Sequence, residues 1–265
     1  VRVKVDSRSR DCGNDKVKVK IFMRLHLKKA IGFLLILLTI LSSCAINRIS
    51  DKKTVITLDK GTTENPVTIS LTHGPHWSHK LKPGPFVIHI YPQVVFWLEN
   101  DAGDFIETLY ISGANGHYGN NSTKRKLDDK FFSMCFPVWA GKLKQVNQPL
   151  PTSSNPYTDA VTTATPQGDF DLKLNLGEIP DSFKILFEIN KSSDYNAVYT
   201  KDNSDWVGQP SVVYAVEICD IKSDSTYYFE PVGHGSRISD KPEFVEGFEG
   251  VDSALELVEE IRVVF

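Results

Sequence analysis

Cysteine is scarce in this chain, at four residues in 265, which excludes the small disulfide-stapled scaffolds that cannot build a core of their own. No sign of charge dominates. With 30 Lys and Arg against 33 Asp and Glu, the net of -3 lacks the basic footprint that nucleic-acid binders need. Long apolar runs are also missing. The stretch Ala30 to Leu41, interrupted by Gly32 and Thr39, is shorter than the about 20 residues that span a bilayer. No Gly-rich phosphate loop, Gly-x-Ser-x-Gly elbow, His-Glu-x-x-His motif or internal repeat occurs. What remains is an ordinary globular composition, 41% hydrophobic and 24% charged.

The apolar run has a different meaning from a membrane span. It follows a basic start, Met23-Arg24-Leu25-His26-Leu27-Lys28-Lys29, and meets Leu41-Ser42-Ser43-Cys44. A positive segment, a short apolar core and small residues are the parts of an export signal. The Leu-Ser-Ser-Cys tail resembles the bacterial lipobox, which implies that Cys44 takes a diacylglycerol and becomes an acylated N-terminus. Acyl chains contribute about 0.8 kcal/mol per buried methylene, so two or three hold a protein on the membrane durably. The expected organisation is a 1–22 leader upstream of the true start, a signal over 23–43, a polar tether over 44–53 and a folded body over 54–265. Cys12 leaves with the leader.

Removal of residues 1–43 also removes ten Lys and Arg but only three Asp and Glu, leaving 20 basic and 30 acidic residues and a net of -10. An acidic exterior disfavours anionic lipid headgroups and nucleic acid, and favours cationic ligands or metal ions over phosphate compounds.

The body reads as all-β. Short runs rich in Val, Ile, Phe, Tyr and Thr recur between Gly, Pro, Asn and Asp clusters: Thr54–Leu58, Val67–Leu71, Phe86–Tyr91, Val94–Glu99, Phe105–Ser112, Phe170–Leu176, Phe183–Asn190, Val212–Ile218 and Tyr227–Glu230. That spacing predicts a sandwich or barrel. Asn100-Asp101-Ala102-Gly103-Asp104 predicts a hairpin connection. Blurred alternation in Val94–Glu99 predicts a strand covered on both faces, whereas Lys184 and Glu188 on one face of Phe183–Asn190 predict a strand bordering solvent. One short C-terminal helix is expected near Ser253, with Glu256 as its capping-box partner, before a β-rich ending at Ile261–Phe265. The 113–130 and 142–164 stretches read as long loops.

Pro92–Asn100, Phe105–Ile111, Phe136-Pro137-Val138-Trp139 and Asp159–Pro166 resemble an uncharacterised family of bacterial periplasmic proteins and lipoproteins that carry a domain of unknown function. Members are often encoded near flavin-transfer and PepSY-type membrane proteins. The resemblance runs from Pro83 to Ile218, with Val232-Gly233-His234-Gly235 extending it. It implies an immunoglobulin-like β-sandwich and assigns no activity.

Four sets of residues carry chemical expectations. His73, His76 and His79, with His89 a strand away, are imidazoles suited to zinc or copper, although Gly74-Pro75 forbids a helix and only a looped chain brings them together. Trp77 among them reads as a packing anchor. Asp159-Ala160-Val161-Thr162-Thr163-Ala164-Thr165 resembles the site at which some exported flavoproteins receive FMN through a phosphoester, here on Thr165, with Thr163 replacing the usual Gly. Cys135 and Cys219 make either one disulfide or two separate thiols. Trp139 and Trp206, with Tyr157, Tyr195, Tyr199 and Tyr214, offer a sugar- or peptide-binding face, while Trp97 reads as core. Together these predict a lipid-anchored module of the cell envelope, attached to the membrane through its N-terminal lipid and acting in binding or structure on another envelope protein or a small ligand. Its rivals are a redox accessory carrying FMN and a metal-binding protein.

Overall fold

Alternation of apolar and polar side chains gives Val67, Ile69 and Leu71, Phe170, Leu172 and Leu174, and Ile261 and Val263 one buried face each, and these three runs form neighbouring strands. The computed structural model describes residues 53–59, 61–82, 84–112, 134–151, 165–222, 224–236 and 244–265. Cys12, the 23–43 signal, Cys44, the 113–130 stretch, Tyr157 and Asp159–Ala164 lie outside the described residues. In chain order the elements are β1 (Thr54–Thr57), β2 (Pro66–His73), β3 (His79–Leu81), β4 (Ile88–Ile90), β5 (Gln93–Asn100), β6 (Phe105–Ile111), helix α1 (Pro137–Gln145), β7 (Phe170–Asn175), β8 (Phe183–Asn190), a single turn α2 (Lys201–Ser204), β9 (Val212–Ile218), β10 (Thr226–Tyr228), β11 (Glu230–Gly235), β12 (Phe244–Glu246) and β13 (Val258–Val264).

Two sheets pack as a sandwich. The first has the order β1-β7-β2-β13-β10 and the second β12-β11-β9-β8-β5-β6, while β3 and β4 pair only with each other. Pairing is antiparallel throughout except between β1 and β7, where Ile56 lies opposite Leu172. Between the sheets, Ile69, Leu71, Leu172, Ile261 and Val263 meet Phe96, Leu98, Ile185, Phe187 and Val212. Phe96 and Phe187 are direct cross-strand partners with ring centroids 4.3 Å apart, and Phe187 continues to Tyr214 at 5.8 Å. The all-β expectation is met. So is the hairpin, where Gly103 takes a φ of +81° and donates to the Asn100 carbonyl at 2.9 Å.

A second core lies on the outer face of the second sheet. Val95, Trp97, Phe105, Ile111, Leu186 and Val213 are covered there by Phe136, Val138, Trp139, Ala140 and Leu143 of α1 and its approach. This accounts for the unbroken burial of Val94 to Glu99, whose two faces enter different cores. It also corrects the expectation for β8: Glu188 is fully buried because α1 covers that face. Pro137 at the first helical position suits a helix start, but no side chain of α1 caps it and its first turn holds no acid. Glu188 supplies the cap from the sheet. Its Oε2 accepts from the Trp139 N–H at 2.9 Å, and its Oε1 accepts from Val138 N–H at 3.3 Å and Ser211 Oγ at 2.6 Å. Lys142 ties the other end of the helix down, bonding the Gly103 carbonyl at 2.6 Å and Glu99 Oε1 at 3.1 Å, and Glu99 also accepts from Trp97 Nε1.

The expected C-terminal helix shrinks to one 3-10 turn, Leu255–Leu257. Its place is taken by β13, whose Val258, Ile261, Val263 and Val264 pair along β2.

Burial pushes the Glu188 carboxyl up to about 7 from 4.5, against the three hydrogen bonds that hold it. In the unfolded chain the group titrates near its ordinary value. Between those two values the folded protein keeps a proton that the unfolded chain has released, so this contribution is full below about 4.5 and is lost as pH rises through about 7, amounting to about 3 kcal/mol. Glu188→Gln keeps an acceptor for α1 and removes the titration. Urea unfolding at acid and at mildly alkaline pH should therefore show the wild type losing more stability than the variant on going up; parallel losses would place the titration elsewhere.

Candidate functional site

The histidine run lies where β2 ends and the chain turns toward β3. Gly74 donates to the Leu257 carbonyl at 2.9 Å, and a Cβ on Gly74 would stand 2.2 Å from the Glu256 carbonyl oxygen, so the two backbones touch here. The imidazoles then diverge. His73 Nδ1 meets Asp169 Oδ1 at 2.5 Å, and His76 Nε2 meets Glu256 Oε2 at 3.1 Å. Burial raises the Asp169 carboxyl, but the His73 N–H, the His73 ring and the Lys53 charge together bring it below its usual range. His79, paired with Ile90 on one face of the β3–β4 ribbon, turns toward Lys191 and Asp194, while His89 sits opposite Lys80 on the other face and stacks on Tyr91. The loop does not bring the four imidazoles together. Among the described residues no group of three or more His, Cys, Asp or Glu is placed to hold a metal ion. Trp77 is the packing anchor expected of it, 2% exposed and donating to the Pro166 carbonyl.

Beside these histidines is a buried polar cluster. Lys191, its side chain 2% exposed, donates to the His76 carbonyl at 2.6 Å and reaches Asp194 Oδ1 at 3.4 Å. Desolvation lowers the Lys191 ammonium below its ordinary value, and the Asp194 charge and hydrogen bond restore only part of that. Desolvation and the Lys191 charge likewise lower the His79 imidazole, with Asp194 opposing. Ser253 Oγ donates to Asp194, Gln209 Nε2 donates to Ser253, and Gln209 Oε1 accepts from the Asp252 N–H. Asn190 donates to the Gln209 carbonyl. Gly208, at φ +80°, lies in the connection between α2 and β9, so close to Asp194 that a Cβ would lie 2.5 Å from the Asp194 backbone. His79 Nε2, Gln93 Oε1, Asn190 Oδ1 and Asp194 Oδ2 have no hydrogen-bond partner among the described residues. Three of those four are oxygen acceptors, so the cluster suits a hydrogen-donating guest such as water.

A cleft opens on the flank where the chain crosses from β10 to β11. Its volume is about 490 Å³, within the range of small-ligand sites. Tyr214, Phe229 and Phe248 line it, with Glu230, Glu259 and Glu260 among the lining residues and no Lys, Arg or His. Arg262 neutralises Glu260 at 2.6 Å, whereas Glu230 and Glu259 have no ion pair among the described residues. Desolvation pushes the Tyr214 hydroxyl up to about 12, so it stays protonated and polar.

The remaining sequence candidates disperse. Trp139 is fully buried in the second core with its Nε1 on Thr108 Oγ1 at 2.9 Å, which removes it from the sugar- or peptide-binding face expected of it. Trp206 is half-buried against the same core, and Tyr195 bonds the Asp205 carbonyl, so these aromatics share no single face. Cys135 is buried under α1 and Cys219 is exposed beyond β9, so these two are separate thiols rather than a disulfide. Thr165 is half-buried just before Pro166, which receives Trp77. Comparison with protein-family models, curated proteins and solved structures finds no match to this chain.

Lys191→Met leaves Asp194 buried without its cation and should cost about 3–5 kcal/mol in chemical denaturation. Adding Asp194→Asn should recover part of that loss; a loss below about 1 kcal/mol in the single variant would mean the pair is well solvated.

Proposed function

We propose that this chain is an exported, lipid-anchored cell-envelope protein, exposed to the periplasm or cell exterior, whose sandwich is a non-catalytic binding module for cationic ligands. One observation carries the ligand class: the cleft has an aromatic lining and two unneutralised carboxylates, Glu230 and Glu259, with no basic side chain among its lining. Aromatic faces and carboxylates attract an ammonium by the same electrostatics, and the body's net of -10 after residue 43 extends that preference to long range. The anchor rests on the basic start, the short apolar run and Cys44. The resemblance over Pro83 to Ile218 supports an envelope address, and two face-to-face sheets are what its immunoglobulin-like arrangement calls for. Covalent FMN at Thr165 keeps only its sequence resemblance as support, and metal binding by His73, His76 and His79 loses the geometry it requires.

Spermidine and tetramethylammonium should each give saturable heats in titration calorimetry, weakened about tenfold by Glu230→Gln with Glu259→Gln. Absence of saturable binding by the wild type would overturn the ligand class. For the anchor, labelled palmitate should enter the wild type and be absent from Cys44→Ala, with membrane retention falling alongside; equal labelling of both would remove Cys44 as the site.

A further inference from the structure

The β3–β4 ribbon belongs to neither sheet. It carries Phe86, Val87 and Ile88 in succession, 69%, 55% and 48% exposed, where the other exposed large apolar residues are scattered or in pairs. Leu81 lies opposite Ile88 on one face, and Lys80 lies opposite His89 on the other. Lys80 and Lys82 are exposed and have no ion pair among the described residues. From Asn65 to Leu98 the chain has no Asp or Glu at all, so within an acidic body this segment is basic.

The ribbon also springs from a particular end of the sandwich. Thr54 opens β1 opposite Phe170, and Phe170 also faces Leu71 near the close of β2. The start of β1, the close of β2 and the ribbon that follows it therefore share one end. Lys53 is tied there through Asp171, and the Thr54 N–H donates to the Asp169 carbonyl. Cys44 lies nine residues before Lys53, a separation that covers at most about 32 Å even fully extended. An acylated Cys44 thus holds this end within about 32 Å of the bilayer.

We propose that the β3–β4 ribbon is a membrane-docking device: Phe86, Val87 and Ile88 enter the headgroup region of an anionic bilayer while Lys80 and Lys82 engage its phosphates. Apolar wedges next to lysines are suited to that interface, and a second contact beside the lipid gives the body a defined orientation. The orientation, though not the chemistry of the ribbon, rests on the anchor reading given above.

The test uses the full chain purified from membranes and reconstituted into vesicles of phosphatidylcholine with phosphatidylglycerol, or of phosphatidylcholine alone. An environment-sensitive fluorophore is placed on Val87→Cys, and separately on Phe86→Cys, in a Cys12→Ser, Cys219→Ser background, since among the described residues Cys219 is the exposed thiol and Cys135 is buried, and labelled Cys44 is told apart by the mass of the N-terminal peptide. The expected result is a blue shift and quenching by headgroup-labelled lipid on the anionic vesicles, weaker on phosphatidylcholine alone. Water-like emission from both probes overturns the proposal, and so does a blue shift of the same size in detergent-free solution without vesicles, which reports a protein contact instead. The mass of the N-terminal peptide from the same sample separates the two readings. Acylated Cys44 with water-like probes removes the ribbon's role and leaves the anchor, whereas blue-shifted probes on a chain without acyl groups do the reverse.

Discussion

Glu188 sits beneath the first turn of α1, where two backbone N–H groups and the Ser211 hydroxyl converge on one carboxylate, and the packing of both cores passes through that point. On the inner face of the same strand, Phe187 and Ile189 belong to the core between the sheets, while Leu186 and Glu188 face the helix. A helix without its own cap has unsatisfied N–H groups at its start, and a carboxylate beneath a helix has no water to solvate it. Each fault answers the other. If α1 moved away, Val95, Trp97 and Leu186 would be uncovered together with a carboxyl that had lost two of its three donors.

The polar cluster at the end of the sandwich has a comparable role between sheets. Lys191 follows β8 in the second sheet, yet its ammonium reaches the His76 carbonyl just past β2 of the first. Asp194 and Gln209, from the connections of the second sheet, reach Ser253 just ahead of β13. Polar bonds here join layers whose shared core is apolar. Such bonds depend on direction, so they fix the relative slide of the sheets more narrowly than the aromatic core does.

Strands were the legible part of the sequence, because β-branched and aromatic runs between turn residues have few other uses, and even the double burial of Val94–Glu99 showed in its blurred alternation. The helix was not legible. Pro137 marks a start, but the residues after it have little amphipathic contrast because the cover they provide is partly tied by Lys142 rather than by an apolar stripe. Glu188 was misread for the same reason: period-2 placement says which side chains share a face, and only the tertiary partner decides whether that face is wet. Ser253 and Glu256 had the right spacing for a helix start, but the β-branched residues behind them gained more from pairing with β2. The histidines were conspicuous by type and Lys191 was not, since a lysine after a strand ordinarily points to water; its burial comes from four separate stretches of chain meeting.

One feature of the first sheet bears on when the fold can form. β13 follows every other described strand in the chain, yet it lies in the interior of its sheet, between β2 and β10. Until it arrives, β2 has one open edge and the apolar face carrying Ile69 and Leu71 lacks the neighbouring Ile261 and Val263. A chain delivered from its N-terminus, whether by a ribosome or through an export channel, therefore cannot close this sheet early, and a molecule stopped ahead of Val258 would present β2 as a template for foreign strands. The first sheet is thus complete only once the chain through Val264 is available to pair with β2 and β10.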